Sequence, residues 1–446
     1  MKRIDCLRLE LSAAWEFRVH RVVVTGLGIS APNGTGIPAF TKALREARSG
    51  VTFQPRMNEL RLACQVAGTP HIDHALVEAT FLESTTRVMN SSMTYAGLAA
   101  VECWRDAGFC YERDHRSEVD WNTGAIIGTG VGGMDTVAER LIPMTNAGEA
   151  RRMGSGMPEQ YMSSAPSAFV GGLLGLGGQV TTVSSACASG TESIVQAFEK
   201  VRAGQLKRML AGSSEGVSAH AWAGFDAMRV LSRVHNDAPE KASRPLSASA
   251  GGFVPAAGGG LLMLESLESA QERDARIHAE VLGGWANSGG QRNGGTITAS
   301  NPEGVQRCLR QTLAAANIRG TDIDYINGHL TATMADPKEI ANLLAGLNLT
   351  PDRFPLINST KSLIGHGLGA SGSMECVATI LQLRDGFVHA SINCEDLHSQ
   401  IRDIQDSIPS ACKYAKLSTA LKVSFGFGDV NACIIFKLWG ANNEQG

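Results

Sequence analysis

Short apolar runs rich in β-branched residues recur along the chain, and several end in glycine or other small residues. In the first half these runs are Arg21 to Gly28, Ala125 to Gly130, Val180 to Cys187 and Arg208 to Gly212. Apolar residues at helical spacing fill two of the intervals, residues 92–107 and 190–203. Strands of this kind alternating with helices predict an α/β architecture with a mostly parallel sheet.

The same alternation restarts in the second half of the chain. The predicted elements are strands at 259–264 and 279–282, a helix at 302–315, a strand at 323–326, a helix from Lys338, and strands at 356–357, 421–423 and 432–438. Two halves of similar pattern indicate an internal duplication, although no strong residue-level repeat accompanies it. The charged stretch from Glu268 to Arg276 marks the boundary, which gives an N-terminal extension (1–20), a first half (21–270) and a second half (271–446).

Composition and charge narrow the class of protein. Of the 446 residues, 43 % are hydrophobic and 19 % are charged, which is typical of a globular protein with a large core. The net charge of −3, without a basic block, argues against a nucleic-acid binder. No apolar run is long enough to cross a membrane, and the charges within residues 1–20 interrupt any secretion signal.

The ten cysteines are spread along the chain, with no Cys-x-x-Cys pair and no spacing typical of a metal site. Most of them lie in apolar contexts, which indicates reduced and buried thiols in a cytoplasmic protein. We therefore expect no metal centre, and we expect the protein to be cytoplasmic.

Cys187 differs from the other cysteines in its surroundings. Its neighbours from Ser184 to Gly190 are all small, and it lies between a predicted strand and a predicted helix. A helix N-terminus favours a thiolate, and its backbone N–H groups can stabilise an oxyanion. A buried structural cysteine is the competing interpretation, and the local pattern alone does not decide between the two.

Two histidines follow apolar strands. His329 comes directly after the run from Tyr325 to Gly328, and His366 follows the segment from Lys361 to Gly365. Active-site groups in α/β proteins collect at the carboxyl ends of strands. Each histidine alone would more often be structural, but two at strand ends, with a candidate nucleophile upstream, indicate a site.

Two further features are weaker on their own. Lys361 and Glu375 could form an ion pair that holds an imidazole, although an ordinary surface pair is the simpler interpretation of their spacing. The segment from Ser424 to Gly428 is an aromatic loop with glycine hinges, which could move a phenylalanine over a pocket.

Together these segments resemble the motifs of the β-ketoacyl-acyl-carrier-protein synthase family, and those of its type II elongating enzymes more than its other branches. Ser-Ser-Ala-Cys-Ala-Ser-Gly around Cys187 resembles the nucleophile motif, and His329 to Thr333 resembles His-Gly-Thr-x-Thr. Lys361 to His366 resembles Lys-Ser-x-x-Gly-His, and Ser424 to Asn431 resembles Phe-Gly-Phe-Gly-Gly-Thr-Asn. The resemblance runs in order from about residue 20 to 440, and it includes the segments 21–26, 224–232 and 242–245.

The resemblance implies a thiolase-like fold, in which two similar α/β halves pack as five layers (α-β-α-β-α), usually in a homodimer. It also implies a decarboxylative condensation in fatty-acid synthesis or a related polyketide or polyene pathway. Cys187 would take an acyl group from acyl carrier protein as a thioester. His329 and His366 would hold the malonyl thioester carbonyl and promote loss of CO₂, and the resulting enolate would attack the acyl group.

Other residues match family positions with supporting roles. Lys361 and Glu375 match the supporting ion pair, and the backbone N–H groups of Cys187 and Phe427 match the oxyanion hole. Phe427 and Gly428 belong to the gate over the nucleophile. Substrate-binding positions match Thr331, Thr333, Phe225 and Val131, and carrier-protein-binding positions match Arg151, Arg152 and Arg229. No cofactor is implied, because the substrates are carried on the phosphopantetheine arm of the carrier protein.

The chain departs from the family pattern at several positions. Leu330 stands where the family usually has glycine, and the loop after Thr333 is one residue shorter. The charged residues usual before Gly252-Phe253 are missing, and the segment 257–260 lacks the usual glutamate. Asp429 replaces the second glycine of the gate. We expect Asp429 to stiffen the gate unless its φ is negative, to place a carboxylate near an anionic substrate, and to narrow the range of acyl groups.

Two alternatives remain at this stage. A non-catalytic subunit resembling chain-length factors would pair with an active ketosynthase in a heterodimer, but such subunits typically lose the nucleophile that this chain retains. A thiolase-type enzyme would need a second catalytic cysteine near the C-terminus, and Cys412 and Cys433 lack a suitable glycine-rich setting. A CoA-primed initiating enzyme belongs to the same alternative, and the set of two histidines and a lysine fits decarboxylative condensation better.

Overall fold

Ten strands form the framework of the protein. The computed structural model describes residues 19–114 and 118–440, so the expected extension 1–20 lies almost entirely outside the described residues. The first half provides β1 (Val22–Ala31), β2 (Thr123–Gly128), β3 (Val180–Thr181), β4 (Arg208–Glu215) and β5 (Gly258–Ser266). The second half provides β6 (Ala279–Ser288), β7 (Tyr325–Asn327), β8 (Leu356–Asn358), β9 (Thr419–Gly426) and β10 (Val430–Leu438).

The two sets of five strands have the same order and the same directions. The first set runs β1-β5-β4-β2-β3 and the second runs β6-β10-β9-β7-β8. In each set the first two neighbouring pairs are antiparallel, and the last two neighbouring pairs are parallel. The sets join where Val22–Val24 of β1 pairs with Ala279–Val281 of β6. The predicted pair of similar halves is therefore confirmed in the strand topology.

The sheet is mixed, so the prediction of a mostly parallel sheet is wrong. Within each half the last strand returns antiparallel beside the preceding one, β5 beside β4 and β10 beside β9. Only residues 427–429 separate β9 from β10, so the connection is a β-hairpin. A parallel pair would need a crossover of a dozen residues or more.

Six long helices complete the layers. They are α1 (Ser91–Asp106), α2 (Ala165–Leu174), α3 (Ser189–Arg202), α4 (Pro302–Ala316), α5 (Asp336–Leu347) and α6 (Ser371–Asp385). The α1 and α2 helices pack on the first set of strands, and α4 packs on the second set with α5 beside it. The α3 and α6 helices contact both sets and each other. The order of layers is thus α-β-α-β-α, as the resemblance implied.

The central position of α6 follows from its sequence. Every residue of this helix from Ser371 to Leu383 is buried, so most of its side chains are small or apolar, and the two long polar ones, Glu375 and Gln382, have polar partners. Glycines at the crossing let α3 and α6 approach closely. A Cβ on Gly190 would lie 2.5 Å from the Ser373 nitrogen, and one on Gly372 would lie 2.6 Å from the Thr191 nitrogen. The N-terminal ends of the two central helices therefore meet.

Shorter elements connect this framework. The remaining helices include Ile37–Arg45, Pro55–Glu59, His74–Thr80, Glu83–Thr86, Met134–Thr136, Ile142–Asn146, Met157–Tyr161, Ala219–Ala227, Leu267–Glu272 and Lys361–Ile364, and the remaining strands are Gly34–Thr35, Val51–Phe53, Val66–Gly68, Phe387–Val388 and Lys413–Tyr414. The helix Leu267–Glu272 lies at the expected boundary between the halves, and the boundary itself stays a prediction. No helix in the described part of the chain has the length and apolarity needed to cross a bilayer.

Candidate active site

Cys187 lies in a tight turn immediately before α3. Strand β3 ends at Thr181, earlier than predicted, and a single 3₁₀ turn over Ala186–Ala188 leads into the helix. Ala186 has a φ of +51°, a strained value for a residue with a side chain. The Ser189 hydroxyl accepts the Ser185 N–H at 2.9 Å and donates to the Ala186 carbonyl at 2.7 Å. These bonds hold the turn that presents the thiol.

Burial controls the ionisation of this thiol. Burial raises the pKa of Cys187 to about 11, and the carboxylates of Glu215 and Glu375 also raise it. The Lys361 ammonium and the backbone N–H of Phe427 act in the opposite direction. The thiol is therefore protonated at neutral pH. The expectation that the helix N-terminus would favour a thiolate is wrong for this state, because desolvation outweighs it.

The two predicted histidines meet beside this turn. His329 follows β7, and His366 follows β8 and the short helix Lys361–Ile364. Their ring centroids lie 5.4 Å apart, with an angle of 85° between the planes. Burial lowers the pKa of both imidazoles well below the ordinary value, and the Lys361 charge lowers both further. Both rings are consequently neutral at neutral pH, and each carries one N–H.

The tautomer of His366 follows from its hydrogen bonds. Its Nδ1 accepts the backbone N–H of Leu368 at 3.2 Å and lies 2.8 Å from the Ser371 hydroxyl. Because Nδ1 accepts from a backbone N–H, the proton of the neutral ring sits on Nε2. Ser371 was not predicted from the sequence. Its position five residues after the histidine, at the start of α6, was the available signal.

His329 is positioned through its backbone. Its N–H donates to Glu339 Oε1 at 2.6 Å, and the Leu330 N–H donates to Oε2 of the same carboxylate at 2.8 Å. Burial raises the pKa of Glu339 to about 7, with a further contribution from Asp336. The Nδ1 of His329 is buried, and no partner for it is present among the described residues. Glu339 was not predicted from the sequence.

The predicted ion pair is present, and it is larger than predicted. Lys361 Nζ lies 2.5 Å from Glu375 Oε1, and Lys422 Nζ lies 2.9 Å from Glu375 Oε2. All three side chains are at most 1 % exposed. The interpretation as an ordinary surface pair is therefore wrong. Lys422 was missed, although a lysine within the apolar run of β9 was a visible signal.

Thr331 and Thr333 lie on the loop after His329, with their hydroxyls 3.1 Å apart. The carboxylate of Asp336, at the start of α5, accepts backbone N–H groups of this loop. It accepts the Leu246 N–H as well. Several N–H bonds to one buried carboxylate fix the loop. The loop is thus rigid at its base, while both threonine side chains stay partly exposed.

The expected gate residues Phe427 and Gly428 lie in the turn of the β9–β10 hairpin, and their gating role stays a prediction. A Cβ on Gly426 would lie 2.8 Å from the Ser185 carbonyl, so only glycine lets this strand end approach the nucleophile turn. The Phe427 ring centroid lies 6.2 Å from that of Phe225. Phe225 in turn packs in one apolar cluster with Val131 and Phe253, and the Phe253 ring lies 5.0 Å from the His366 ring. The predicted substrate-binding residues Phe225 and Val131 therefore share one apolar wall beside the histidines.

Asp429 does not face the substrate side, which corrects one expectation. Its φ is +61° and its side chain is buried. The carboxylate accepts the N–H of Gln291 at 2.9 Å and that of Asn301 at 2.8 Å, and its carbonyl accepts the Gly289 N–H at 2.8 Å. Gly428, with a φ of +89°, donates its N–H to the Ile297 carbonyl. The hairpin turn is thus tied at Gly428 and Asp429 to the loop 289–301.

The three predicted carrier-binding arginines are all exposed. Arg151 and Arg152 lie in the 3₁₀ turn Ala150–Arg152, where Arg152 pairs with Glu149 at 2.6 Å. Arg229 follows the helix that carries Phe225, and its φ is +60°. The arrangement is compatible with a docking surface, and the role of these arginines stays a prediction.

Comparison with known proteins identifies the family. Residues 19–270 match the family described as beta-ketoacyl synthase, N-terminal domain. Residues 278–395 match beta-ketoacyl synthase, C-terminal domain. The chain belongs to the β-ketoacyl synthase family. A curated relative, 3-oxoacyl-[acyl-carrier-protein] synthase 1 of Haemophilus influenzae, is 33 % identical over 426 residues, covering 94 % of this chain and 99 % of the relative.

Solved structures agree with this assignment. A beta-ketoacyl synthase from Burkholderia phymatum superposes with a TM-score of 0.84 at 28 % identity, covering 94 % of this chain and 99 % of that one. A type II polyketide ketosynthase, solved in complex with its acyl-carrier protein and bound to the hexaketide, gives 0.83 at 27 % identity, covering 94 % and 100 %. The predicted thiolase-like fold and the predicted condensing enzyme are confirmed. None of these findings favours the chain-length-factor-like or thiolase-type alternative.

Within this β-ketoacyl synthase, the departure at Leu330 has a packing explanation. Leu330 is fully buried in an apolar cluster with Leu246, Val423 and other residues of the second half. Its carbonyl accepts the Ser359 hydroxyl at 2.9 Å. The larger side chain therefore points into the core and leaves the histidine in place.

Proposed function

We propose that this β-ketoacyl synthase elongates acyl chains delivered by acyl carrier protein. Cys187 would accept the acyl group, and His329 and His366 would promote decarboxylation of the malonyl unit. The observation that carries the proposal is the pair of buried, neutral imidazoles, 5.4 Å apart between ring centroids. Neutral imidazole donors in a dry site stabilise a developing enolate oxygen without adding a charge that must be desolvated.

Loading exchanges one thioester for another. The Cys187 sulfur forms a bond to the acyl carbonyl carbon, the bond to the pantetheine sulfur breaks, and the thiol proton of Cys187 ends on the pantetheine sulfur. Backbone N–H groups of Cys187 and Phe427 are the proposed donors to the intermediate oxyanion. The backbone N–H of Phe427 lowers the pKa of the Cys187 thiol, which supports its place in this hole.

Condensation follows in the same pocket. Loss of CO₂ from the malonyl thioester leaves an enolate whose oxygen accepts hydrogen bonds from His329 and His366. The enolate carbon attacks the acyl-cysteine carbonyl, the bond to the Cys187 sulfur breaks, and the thiolate takes a proton. The Nε2–H of His366 supports its role as a donor. Thr331 and Thr333 are the proposed contacts of the pantetheine arm.

The acyl carrier protein is the proposed partner. The polyketide ketosynthase of similar fold was solved with its acyl-carrier protein, and carrier proteins are acidic. Arg151, Arg152 and Arg229 would provide a basic patch on an enzyme of net charge −3. No cofactor takes part in the proposed steps, since both substrates arrive as thioesters.

The proposed assembly is a homodimer, with a heterodimer of related subunits as the alternative. Strand β3 ends the sheet in the described part of the chain, so one edge of its backbone has no strand beside it. Val119 and Trp121, which contact Gly177 ahead of β3, are 48 % and 72 % exposed. An open strand edge with large exposed apolar residues favours pairing with another chain. The cytoplasmic location stays a prediction.

The two half-reactions can be separated by substitution. His329→Ala and His366→Ala should each lower malonyl decarboxylation about 100-fold, the effect of removing one preorganised donor, and should lower acyl loading much less. Release of CO₂ from malonyl-carrier protein measures the first, and mass spectrometry of the acylated protein measures the second. His74→Ala is the matched control, because His74 is 85 % exposed. Decarboxylation within a factor of about three of wild type in both variants contradicts the histidine roles.

A further inference from the structure

Three ionisable side chains lie together in the interior near the two imidazoles. Glu375 contacts Lys361 at one carboxylate oxygen and Lys422 at the other, at 2.5 and 2.9 Å. The Glu375 and Lys422 side chains are 0 % exposed, and that of Lys361 is 1 % exposed. Two amines share one carboxylate, and with both amines protonated the group has a net positive charge out of contact with solvent.

Lys422 is held in place by oxygen acceptors. It belongs to β9 and pairs in register with Asn327 of β7, which places the two side chains on the same face of the sheet. Its Nζ donates to the carbonyl oxygen of Val423. The Oδ1 of Asn327 is buried, and no partner for it is present among the described residues. The Lys422 ammonium therefore lies among buried polar groups beside Asn327, and His329 follows Asn327 by two residues.

Neutralising Glu375 does not require the second lysine. Lys361 already contacts the carboxylate at 2.5 Å, and a buried ammonium carries a desolvation penalty of several kcal/mol. The charge of Lys422 instead acts electrostatically on two buried bases, the imidazoles of His329 and His366. A fixed cation near an imidazole disfavours the imidazolium form.

We propose that Lys422 is a positioning residue of this active centre, which holds Glu375 jointly with Lys361 and supplies additional positive charge that, together with burial and Lys361, disfavours protonation of both imidazoles. This inference rests on the proposed roles of His329 and His366. Neutral rings can donate to the malonyl thioester carbonyl and stabilise the enolate, whereas an imidazolium would bind the malonyl carboxylate and retain the CO₂ unit.

The electrostatic surroundings agree with this role. The pKa of His329 is lowered by burial, then by Lys361, His366 and Lys422, and that of His366 by burial, Lys361 and Lys422. The other titratable groups around the rings, Lys422 and Glu375 are Cys187 before α3, Glu215 of β4, Tyr325 of β7, Asp336 and Glu339 of α5, Cys376 of α6, His389, and Cys433 of β10. Within this set the only cations are Lys361 and Lys422.

Removing the Lys422 charge should move the pH dependence of decarboxylation in a defined direction. With one cation fewer, the pKa of both imidazoles rises, so the rings become protonated at a higher pH. The decarboxylation rate should fall at low pH as the rings become protonated, and this fall is called the acid limb. In Lys422→Met the acid limb should lie about one pH unit higher than in wild type, a shift of the size expected for one nearby charge. Below the limb the rate should be about tenfold lower, and well above it the two enzymes should converge.

The experiment records CO₂ release from malonyl-carrier protein against pH for wild type, Lys422→Met, Lys422→Arg and Lys413→Met. Lys413 is exposed on a peripheral strand and provides the matched lysine-to-methionine control. Lys422→Arg keeps the charge and should keep the wild-type limb. Titration of the histidine ring signals by nuclear magnetic resonance gives the same shift without turnover.

An equal loss of rate at all pH values, with the limb unmoved, would show that Lys422 is only structural and would overturn the inference. If Lys422→Met does not fold, the charge-retaining Lys422→Arg decides, because a displaced limb in that variant contradicts the role of the charge. Failure of the proposed function looks different. In that case His329→Ala and His366→Ala decarboxylate like wild type, whatever the Lys422 variants do.

Discussion

Asp429 offers the sharpest test of how this synthase controls its gate. The residue sits in the left-handed region, φ +61°, immediately after the hinge glycine Gly428. Its carboxylate accepts the backbone N–H groups of Gln291 and Asn301 at 2.9 and 2.8 Å. The substitution Asp429→Gly removes both bonds and at the same time relieves the unfavourable backbone conformation, so the two effects oppose each other.

The hydrogen bonds should outweigh the strain. A hydrogen bond to a charged acceptor stabilises by about 1.5 kcal/mol or more, so two contribute at least about 3 kcal/mol. Replacing a left-handed non-glycine residue with glycine recovers about 1 kcal/mol. The gate and the loop 289–301 should therefore separate with about 2 kcal/mol less free energy, which corresponds to about a 30-fold rise in the open population.

Amide hydrogen exchange followed by mass spectrometry measures this opening directly. Peptides that cover residues 289–301 and 426–430 should lose protection about 30-fold in Asp429→Gly, while peptides from α6 should stay unchanged. Asp429→Asn is the matched control for the backbone, because asparagine tolerates the left-handed region but removes the charge. Acyl-carrier substrates of short, medium and long chain should show a broader acceptance profile for the glycine variant.

Two results would refute this reasoning. Unchanged exchange in both loops would mean that the carboxylate bonds contribute nothing to holding the gate. Faster exchange with an acceptance profile identical to that of wild type would mean that the gate's freedom does not set the range of acyl groups.

Two further predictions concern the nucleophile and the carrier protein. A ketosynthase-directed epoxide should label Cys187 alone among the ten cysteines, and labelling of a different cysteine in the peptide map contradicts the assignment. The rate of Cys187 alkylation by a small reagent, followed by peptide mapping, should rise about tenfold per pH unit between pH 7 and 10, because the pKa of the thiol is about 11. Reversing the charge of Arg151 or Arg229 should raise the KM for carrier protein and flatten the salt dependence of that KM. Charge reversal at Arg353, an exposed arginine of a different turn, is the control and should change neither. Unchanged kinetics in the Arg151 and Arg229 variants would remove these residues from the docking surface.

The strand and helix pattern was sufficient to predict most elements and the duplicated halves. Apolar periodicity located α1, α3 and α4 to within two residues at each end. The direction of β5 and β10 was not predicted, because periodicity carries no information on strand direction. The three residues between β9 and β10, with a central glycine, were the sequence signal for a hairpin, and therefore for an antiparallel pair.

The sequence was less informative about residues that act through others. Ser371, Glu339 and Lys422 carry no recognisable motif, and each acquires its position only when distant segments fold together. Lys422 contacts a carboxylate 47 positions earlier in the chain, across a strand–helix interface. The ionisation of Cys187 was also mispredicted, because the local helix argument omits the desolvation that the surrounding layers impose.

The duplicated fold explains why the site needs both halves. Cys187 precedes α3 in the first half, and His366 lies at the equivalent place before α6 in the second. Because α3 and α6 meet at Gly190 and Gly372, their N-terminal ends converge, and the two half-sites become one. The two halves contribute charged groups of different sign where they meet. The first contributes the carboxylate of Glu215, held by the N–H groups of Gly130, Val131 and Gly369, and the second contributes the cations at Glu375. The buried thiol of Cys187 and the two buried imidazoles are therefore brought together where the halves join, although neither half alone contains the complete set.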